Sequence, residues 1–304
     1  MGTEQTCLIS EITNFSTKDG PGIRTSIFVK GCPLRCKWCS NPETFTKERM
    51  LFYMANRCVQ CGKCTALCPA QAISDAYTSL HRIDRDKCTG CMQCVDMCMH
   101  NAFRISGQEF SADALMKVIV RDKCFYGDDG GVTISGGEPL LSGDFVLEIF
   151  RRCREEGIGT VLDTTGYGDS RILQEILQYT DLVLLDLKVM DPEKHREWTG
   201  VSNERILKNA ALIMETVPTR ISIPFIGDVN SDAENIKATA AFAAEHGAVH
   251  VDLNPLHTLG AGKYHFLGKE SPYEGLREPE EEEIQSAVRI FAAYGLPATI
   301  GRMM

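Results

Sequence analysis

The stretch Cys32-Pro33-Leu34-Arg35-Cys36-Lys37-Trp38-Cys39 decides how the rest of the chain is interpreted. Its cysteines follow the spacing C-x3-C-x2-C, directly after an apolar run at residues 25–29 that predicts a buried strand. Three thiolates at this spacing can hold three irons of a [4Fe–4S] cube on one loop. No fourth cysteine lies nearby in the sequence, so one iron stays open to a ligand. A zinc loop that borrows a distant ligand is the alternative.

A second cysteine pattern follows and is doubled. The first run is Cys58-x2-Cys61-x2-Cys64-x3-Cys68, and the second is Cys88-x2-Cys91-x2-Cys94-x3-Cys98. This is the spacing of bacterial two-cluster ferredoxins, in which the fourth cysteine of each run binds the other cluster. The predicted ligand sets are Cys58, Cys61, Cys64 and Cys98 for one [4Fe–4S] cluster, and Cys88, Cys91, Cys94 and Cys68 for the other.

Composition and charge restrict the class of protein. The chain has 304 residues, a net charge of −9 and 14 cysteines, of which Cys7, Cys124 and Cys153 lie outside the clusters. We expect these three to be buried and inert. An acidic chain is a poor candidate for binding nucleic acid. The sequence contains no apolar run near twenty residues and begins without a signal pattern, which predicts a cytoplasmic protein with no membrane segment.

Regular alternation of strands and helices follows the doubled cysteine run. Predicted strands lie at residues 132–135, 160–162, 182–185, 220–225 and 249–253, and predicted helices at 112–121, 145–156, 171–179, 204–215, 233–246 and 281–294. Such alternation indicates parallel βαβ units. With the strand before Cys32 it predicts an α/β fold, a partial (β/α)6 TIM-like barrel whose chemistry lies at the carboxyl ends of its strands. We assign residues 1–47 and 109–304 to the barrel and residues 48–108 to an inserted ferredoxin-like domain.

Further segments stand at the ends of these strands and carry a family resemblance. They are Asp19-Gly20-Pro21-Gly22-Ile23-Arg24-Thr25, Gly136-Gly137-Glu138-Pro139, Leu162-Asp163-Thr164, Leu185-Asp186-Leu187-Lys188 and Pro255-Leu256-His257-Thr258-Leu259-Gly260. Together with the Cys32–Cys36–Cys39 loop they resemble the radical SAM superfamily, and within it the glycyl radical enzyme activating enzymes related to the pyruvate formate-lyase activase. The resemblance covers nearly the whole chain. The inserted cysteine runs resemble those of a large subset of that family.

The resemblance implies an activity and its cofactors. A reduced cluster on Cys32, Cys36 and Cys39 would give one electron to S-adenosylmethionine (SAM), and the resulting 5′-deoxyadenosyl radical would abstract hydrogen from a glycine of a partner glycyl radical enzyme. The implied cofactors are three [4Fe–4S] clusters and SAM. The two inserted clusters would either relay electrons from a flavodoxin or ferredoxin or serve in docking. A radical SAM enzyme with another substrate and a pure electron carrier are the competing functions.

The resemblance also implies which residues contact SAM. These are Trp38, Ser40, Gly136, Gly137, Glu138, Asp186, Lys188 and His257. Glycine lets the backbone approach a ligand closely, and a carboxylate such as Glu138 can accept a hydrogen bond from the SAM ammonium. Ordinary structural roles are the alternatives: a Gly-Gly turn, core packing of Trp38, a loop serine, a solvated lysine and a structural histidine.

Two further expectations follow from the resemblance. Asp163, Thr164 and Asp186, with the carbonyl of Leu184, resemble a monovalent-cation site next to the SAM carboxylate, although strand-end caps are the alternative. Asp19 and Arg24 are expected to shape the mouth through which the partner's glycine enters. One departure from the family is Ser222, where many relatives carry an arginine, and whether Arg220 replaces that arginine is open.

Overall fold

The computed structural model describes residues 5–78 and 80–301. Within these residues the strands are β1 (Thr6–Ser16), β2 (Arg24–Val29), β3 (Met50–Tyr53), β4 (Phe103–Ser106), β5 (Gln108–Ser111), β6 (Gly131–Gly136), β7 (Gly159–Thr164), β8 (Leu182–Asp186), β9 (Thr219–Phe225), β10 (His250–Pro255) and β11 (Ala298–Ile300). The α-helices are α1 (Lys63–Leu67), α2 (Gln93–Met97), α3 (Ala112–Asp122), α4 (Gly143–Glu155), α5 (Ser170–Leu177), α6 (Pro192–Thr199), α7 (Glu204–Thr216), α8 (Ala233–Glu245), α9 (Ala261–Phe266) and α10 (Glu281–Ala293).

A nine-stranded sheet organises the main body, in the order β11-β10-β9-β8-β7-β6-β2-β1-β5. Six of these strands, β2, β6, β7, β8, β9 and β10, pair in parallel, which confirms the predicted α/β class with its six parallel strands. Three outer strands of this sheet were not predicted. Strand β1 pairs antiparallel with β2 and β5, and β11 extends the parallel set. In β1 the residues Cys7 and Ile9, two positions apart, are both buried, and this alternation was the signal in the sequence that could have predicted a strand there.

The sheet is curved so that its distant strands approach each other. Strands β2 and β10 are five positions apart, which in a flat sheet corresponds to about 24 Å. Nevertheless the hydroxyl of Tyr273, after β10, donates a hydrogen bond of 2.8 Å to the carbonyl of Trp38, after β2. The carboxyl ends of the strands therefore enclose a space, as expected for a partial barrel.

The three cysteines outside the clusters lie in different surroundings. Cys7 and Cys153 are buried in the main core. The expectation that Cys124 is buried is wrong, because it is exposed in the 3-10 turn Lys123–Phe125 that follows α3. The expectation rested on residue type alone, because a residue in a turn has no helical periodicity from which its burial can be inferred.

The cysteine-rich region has a small sheet and core of its own. Strands β3 and β4 pair antiparallel, and Leu51, Tyr53, Ile73, Ile83 and Phe103 are buried together with Cys64, with five partly buried cysteines packed against them. The helices α1 and α2 have five residues each and occupy equivalent places in the two cysteine runs. The division of the chain at residues 48 and 108 stays a prediction. No helix of the described residues is long and apolar enough to cross a membrane.

The side chain of Arg24 does not shape the mouth, and that expectation is wrong. It lies at the amino end of β2 and is 1% exposed. Its guanidinium donates to the carbonyls of Pro21, Asp129, Val132 and Gly159 and to the hydroxyl of Thr133. The six residues of β2 span about 20 Å, so they separate Arg24 from the cysteine loop and place it at the opposite end of the barrel.

We predict that Arg24→Met destabilises the protein by about 3 kcal/mol, because four carbonyls lose their buried donor. This corresponds to a fall of roughly 6–10 °C in the thermal midpoint. The measurement is anaerobic thermal unfolding followed by circular dichroism. As a control, Arg289→Met removes an exposed ion pair on α10 and should change stability by less than about 0.5 kcal/mol. Equal midpoints for the two variants would contradict the role assigned to Arg24.

Candidate active site

A cavity of about 680 Å³ opens at the carboxyl ends of the parallel strands. All three cysteines of the first motif line it. Of the predicted SAM contacts, seven line it: Trp38, Ser40, Gly136, Gly137, Asp186, Lys188 and His257. Asp19, Asp163 and Thr164 are also part of the wall, together with Thr165, Ser222 and Asn254, which sequence reasoning did not assign to the site. The volume is within the range of small-molecule sites.

Backbone hydrogen bonds hold the cysteine loop against its neighbours. Gly31 donates to the carbonyl of Thr44 (2.8 Å), and Arg35 donates to the carbonyl of Thr199 (2.6 Å). The loop is therefore positioned by its main chain, which leaves the thiols available as ligands. Burial raises the pKa of the Cys32 thiol to about 12, and Glu138 adds to this increase. The bare thiols are thus protonated at neutral pH, and iron binding must displace their protons.

Gly136 and Gly137 bring β6 against the start of the cysteine loop. A Cβ atom at Gly136 would lie 2.2 Å from the amide nitrogen of Val29, and one at Gly137 would lie 2.2 Å from the carbonyl oxygen of Gly31. Gly136 also has a φ of +121°, which disfavours other residues. The amide of Glu138 donates to the carbonyl of Gly31 at 2.8 Å. The glycines therefore serve close packing of two main chains at the cavity wall.

Glu138 lies behind the cavity wall and is 0% exposed. Its carboxylate accepts hydrogen bonds from the hydroxyls of Thr164 and Thr165 and from the amides of Leu140 (3.1 Å) and Thr165 (2.9 Å). Burial raises the pKa of Glu138, and the threonine hydrogen bonds oppose the increase. The predicted contact with the SAM ammonium gains no support from this arrangement, in which Glu138 joins the ends of β6 and β7.

Lys188 and Asp186 form an ion pair on the cavity wall, in which the lysine is buried and the aspartate is partly exposed. The distance from Lys188 Nζ to Asp186 Oδ2 is 2.9 Å. Burial by itself lowers the pKa of Lys188, but the carboxylate of Asp186 outweighs this effect, so the pKa lies above its ordinary value. Lys188 is therefore cationic and close to the cysteine loop, where it can balance anionic thiolates or pair with a carboxylate ligand.

The predicted cation ligands are only partly gathered at the cavity. Asp163 accepts a hydrogen bond from Ser135 (3.0 Å), and the hydroxyl of Thr164 donates to Glu138. Leu184 is buried within β8 and is not part of the cavity wall. In residues 5–78 and 80–301, no three histidine, cysteine or carboxylate side chains are grouped to bind one metal ion. The cation site stays a prediction.

Residues 257–273, which we call the clasp, connect the end of β10 at the cavity to the cysteine loop. Besides the Tyr273–Trp38 hydrogen bond, Lys263 Nζ lies 2.6 Å from a carboxylate oxygen of Glu43 and 2.8 Å from the side-chain oxygen of Asn41. Trp38 is buried and its ring is 6.3 Å from that of Trp198, so it both packs in the core and lines the cavity. The clasp thus fixes the segment that follows the third cysteine.

Arg220 does not take the place of the arginine that Ser222 replaces. Its guanidinium pairs with the buried carboxylate of Asp252 at 2.6 and 3.0 Å, and it is not part of the cavity wall. At the wall itself, Asn254 donates to the hydroxyl of Ser222 at 3.1 Å. The parallel register of β9 and β10 aligns Asn254 with Pro224 and so brings Asn254 close to Ser222. The sequence of a single strand does not reveal this register.

The inserted cysteines gather in two groups that follow the crossed ferredoxin arrangement. One cavity, of about 330 Å³, is lined by Cys58, Cys61, Cys64 and Cys98. A second, smaller cavity is lined by Cys68, Cys88, Cys91 and Cys94. In each group the fourth ligand comes from the other run, as the spacing predicts.

Comparisons with known proteins agree with this geometry. The sequence matches the radical SAM superfamily over residues 85–242, a 4Fe-4S dicluster domain over residues 53–105 and a 4Fe-4S single cluster domain over residues 18–72. It is 37% identical over 305 residues to the indoleacetate decarboxylase activating enzyme of Tractidigestivibacter scatoligenes, with 96% of each chain covered. It is 38% identical over 308 residues to the (2S)-3-sulfopropanediol dehydratase activating enzyme of Klebsiella oxytoca, with 97% of this chain and 96% of that one covered.

The chain belongs to the glycyl radical enzyme activating enzymes of the radical SAM superfamily.

A solved structure supports the fold of this activating enzyme. Streptococcus suis SuiB bound to precursor peptide SuiA superposes with a TM-score of 0.52, covering 88% of this chain and 46% of that one, at 15% identity. At that identity the similarity concerns the fold alone.

We predict that Tyr273→Phe weakens SAM binding by up to about fivefold, because loss of one buried hydrogen bond costs about 1 kcal/mol and frees the clasp from Trp38. Anaerobic isothermal titration calorimetry gives the dissociation constant. The exposed Tyr294, which follows α10, supplies the control variant Tyr294→Phe. Identical constants for both variants and the native protein would show that the clasp plays no part in ligand binding.

Proposed function

We propose that this activating enzyme uses SAM to place a radical on a glycine of a partner glycyl radical enzyme. The observation that carries the proposal is the convergence of Cys32, Cys36 and Cys39 with Lys188 and His257 on one cavity. Relatives that match over almost the whole chain are named activating enzymes of a decarboxylase, a dehydratase and a choline lyase. The partner is therefore proposed by class, as an enzyme that requires a glycyl radical.

The cavity fits a site-differentiated cluster and SAM, because three thiols, one buried and two partly buried, and a cationic lysine face a space of suitable volume. When bound, the cluster supplies one electron that cleaves SAM to methionine and the 5′-deoxyadenosyl radical, which takes hydrogen from glycine. Cys32, Cys36 and Cys39 hold the cluster in this proposal. Lys188 offsets negative charge beside it, while Trp38, Ser40 and His257 orient the nucleoside.

We further propose two more [4Fe–4S] clusters, held by the two crossed cysteine sets. Cys61 in one set and Cys91 in the other are exposed, which supports a position of both clusters near the surface. A flavodoxin or ferredoxin could deliver electrons there, and the insertion would relay them to the SAM cluster. Reduced thiols and clusters of this kind need a reducing compartment, so we propose the cytoplasm of an anaerobic cell as the location.

We predict that Cys36→Ala abolishes reductive SAM cleavage, because a two-cysteine loop cannot hold the cluster. The assay measures 5′-deoxyadenosine after anaerobic reconstitution, reduction by dithionite and addition of SAM. Cys124→Ala is the matched control, since this cysteine is exposed and outside every cluster set. If Cys36→Ala still forms 5′-deoxyadenosine, the assignment of Cys32, Cys36 and Cys39 as the ligands of the SAM cluster is wrong. Nucleoside formation without a glycyl radical signal, across a panel of candidate partners, would favour a different radical SAM substrate.

The relay makes a separate prediction. Cys91→Ala should retain 5′-deoxyadenosine formation with dithionite but lose multiple turnover with flavodoxin or ferredoxin as the donor. The two reductants, compared in one preparation, separate delivery of electrons from cleavage of SAM. Full turnover with the protein donor would remove the relay and favour a docking role for the insertion.

A further inference from the structure

One buried cation in the insertion has no function in the site described above. Arg82 is 0% exposed, and its main chain is fixed by the hydrogen bond that Ser74 donates to its carbonyl at 3.0 Å. The guanidinium nitrogen Nη2 lies 2.9 Å from the sulfur of Cys64, and Nη1 donates to the carbonyl of Ser74. The third nitrogen, Nε, is buried and finds no hydrogen-bond partner among the described residues.

The environment of Arg82 is aromatic and lacks a carboxylate. The guanidinium carbon lies 4.5 Å from the ring centre of Tyr77 and 5.7 Å from that of Tyr53. In the part of the chain that the structure describes, no carboxylate forms an ion pair with it. A buried guanidinium is costly unless an anion balances it. The thiolate of Cys64 and the cluster that it would hold are anions at hydrogen-bond distance from this side chain.

The two cysteine sets differ in how a cation approaches a ligand sulfur, because Arg82 lies at hydrogen-bond distance from Cys64, whereas Arg85 interacts with Cys88 only through its charge. One backbone donor is matched in the two sets, since Ala102 donates to Cys98 and Ala72 donates to Cys68, each at 3.3 Å, and the amide of Gln60 donates in addition to Cys58 at 3.4 Å. Cys94 is the counterpart of Cys64 in the second run, and within the described residues no arginine or lysine donates to its sulfur. Among the described residues, the direct hydrogen bond from a cationic side chain to a ligand sulfur is therefore found in the Cys64 set.

We propose that Arg82 is a positioning residue that raises the reduction potential of the cluster held by Cys58, Cys61, Cys64 and Cys98. Reduction adds one negative charge to a cluster, and a cation hydrogen-bonded to a ligand sulfur stabilises the added charge. Loss of this hydrogen bond therefore makes that cluster harder to reduce. The inference rests on the proposed insertion clusters.

The test is a redox titration of the full chain, reconstituted anaerobically, reduced stepwise with dithionite and followed by electron paramagnetic resonance. Arg82→Gln should shift the midpoint of one cluster to lower potential and leave the other clusters unchanged. Arg82→Lys should shift it less in the same direction, because lysine keeps the charge but not the planar fork. Arg104→Gln, on the exposed side of β4, is the control and should leave all midpoints unchanged.

Unaltered midpoints in Arg82→Gln at the native iron content would overturn the inference. If Arg82→Gln binds less iron, its midpoint is measured from the remaining signal of that cluster, and a native value there overturns the inference. If the native protein binds about four irons instead of about twelve, the insertion holds no clusters and the inference fails. That result would leave the proposed cleavage of SAM unaffected. Conversely, absence of 5′-deoxyadenosine would reject the proposed function without altering the titration.

Discussion

The site depends on close main-chain packing between the carboxyl ends of β2 and β6. Gly136 and Gly137 lie so near the backbone of Val29 and Gly31 that no side chain fits between them. This contact sets the starting direction of the cysteine loop and fixes one wall of the cavity. The buried carboxylate of Glu138 then joins this wall to β7 through two threonines. Small changes at the two strand ends would therefore move the thiols relative to every group that faces them.

Several motif residues support the site instead of facing it. Arg24 closes the amino end of the barrel, Glu138 lies behind the cavity wall and Arg220 is held by Asp252. In each case a charged side chain is satisfied by buried partners, which avoids the cost of an unpaired charge. At the cavity itself, Lys188 pairs with Asp186 close to the cysteines, and Lys18, Asp19 and Asp163 also line the wall. Polar residues in a family motif can thus build the scaffold that holds a ligand site.

The insertion is connected to the active site through the clasp. The ring of Phe52 in β3 meets the ring of Phe266 in α9 edge to face, at 6.3 Å between ring centres. The same clasp reaches the cysteine loop through Lys263 and Tyr273. Because the core of the insertion consists of few apolar side chains and many cysteines, we expect its stability to depend on the proposed clusters more than that of the barrel does.

The sequence by itself determined the α/β class, the six parallel strands, both cysteine patterns and the family. These features depend on local spacing and periodicity, which one chain displays directly. It did not determine the outer strands β1, β5 and β11, the exposure of Cys124 or the positions of Arg24 and Glu138. Burial and partners of a polar side chain depend on strands distant in the sequence, such as those that bring Gly159 to Arg24 and Thr165 to Glu138. Only the tertiary structure brings Arg82 to the sulfur of Cys64, because Arg82 lies eighteen positions further along the chain, outside any regular element that contains Cys64.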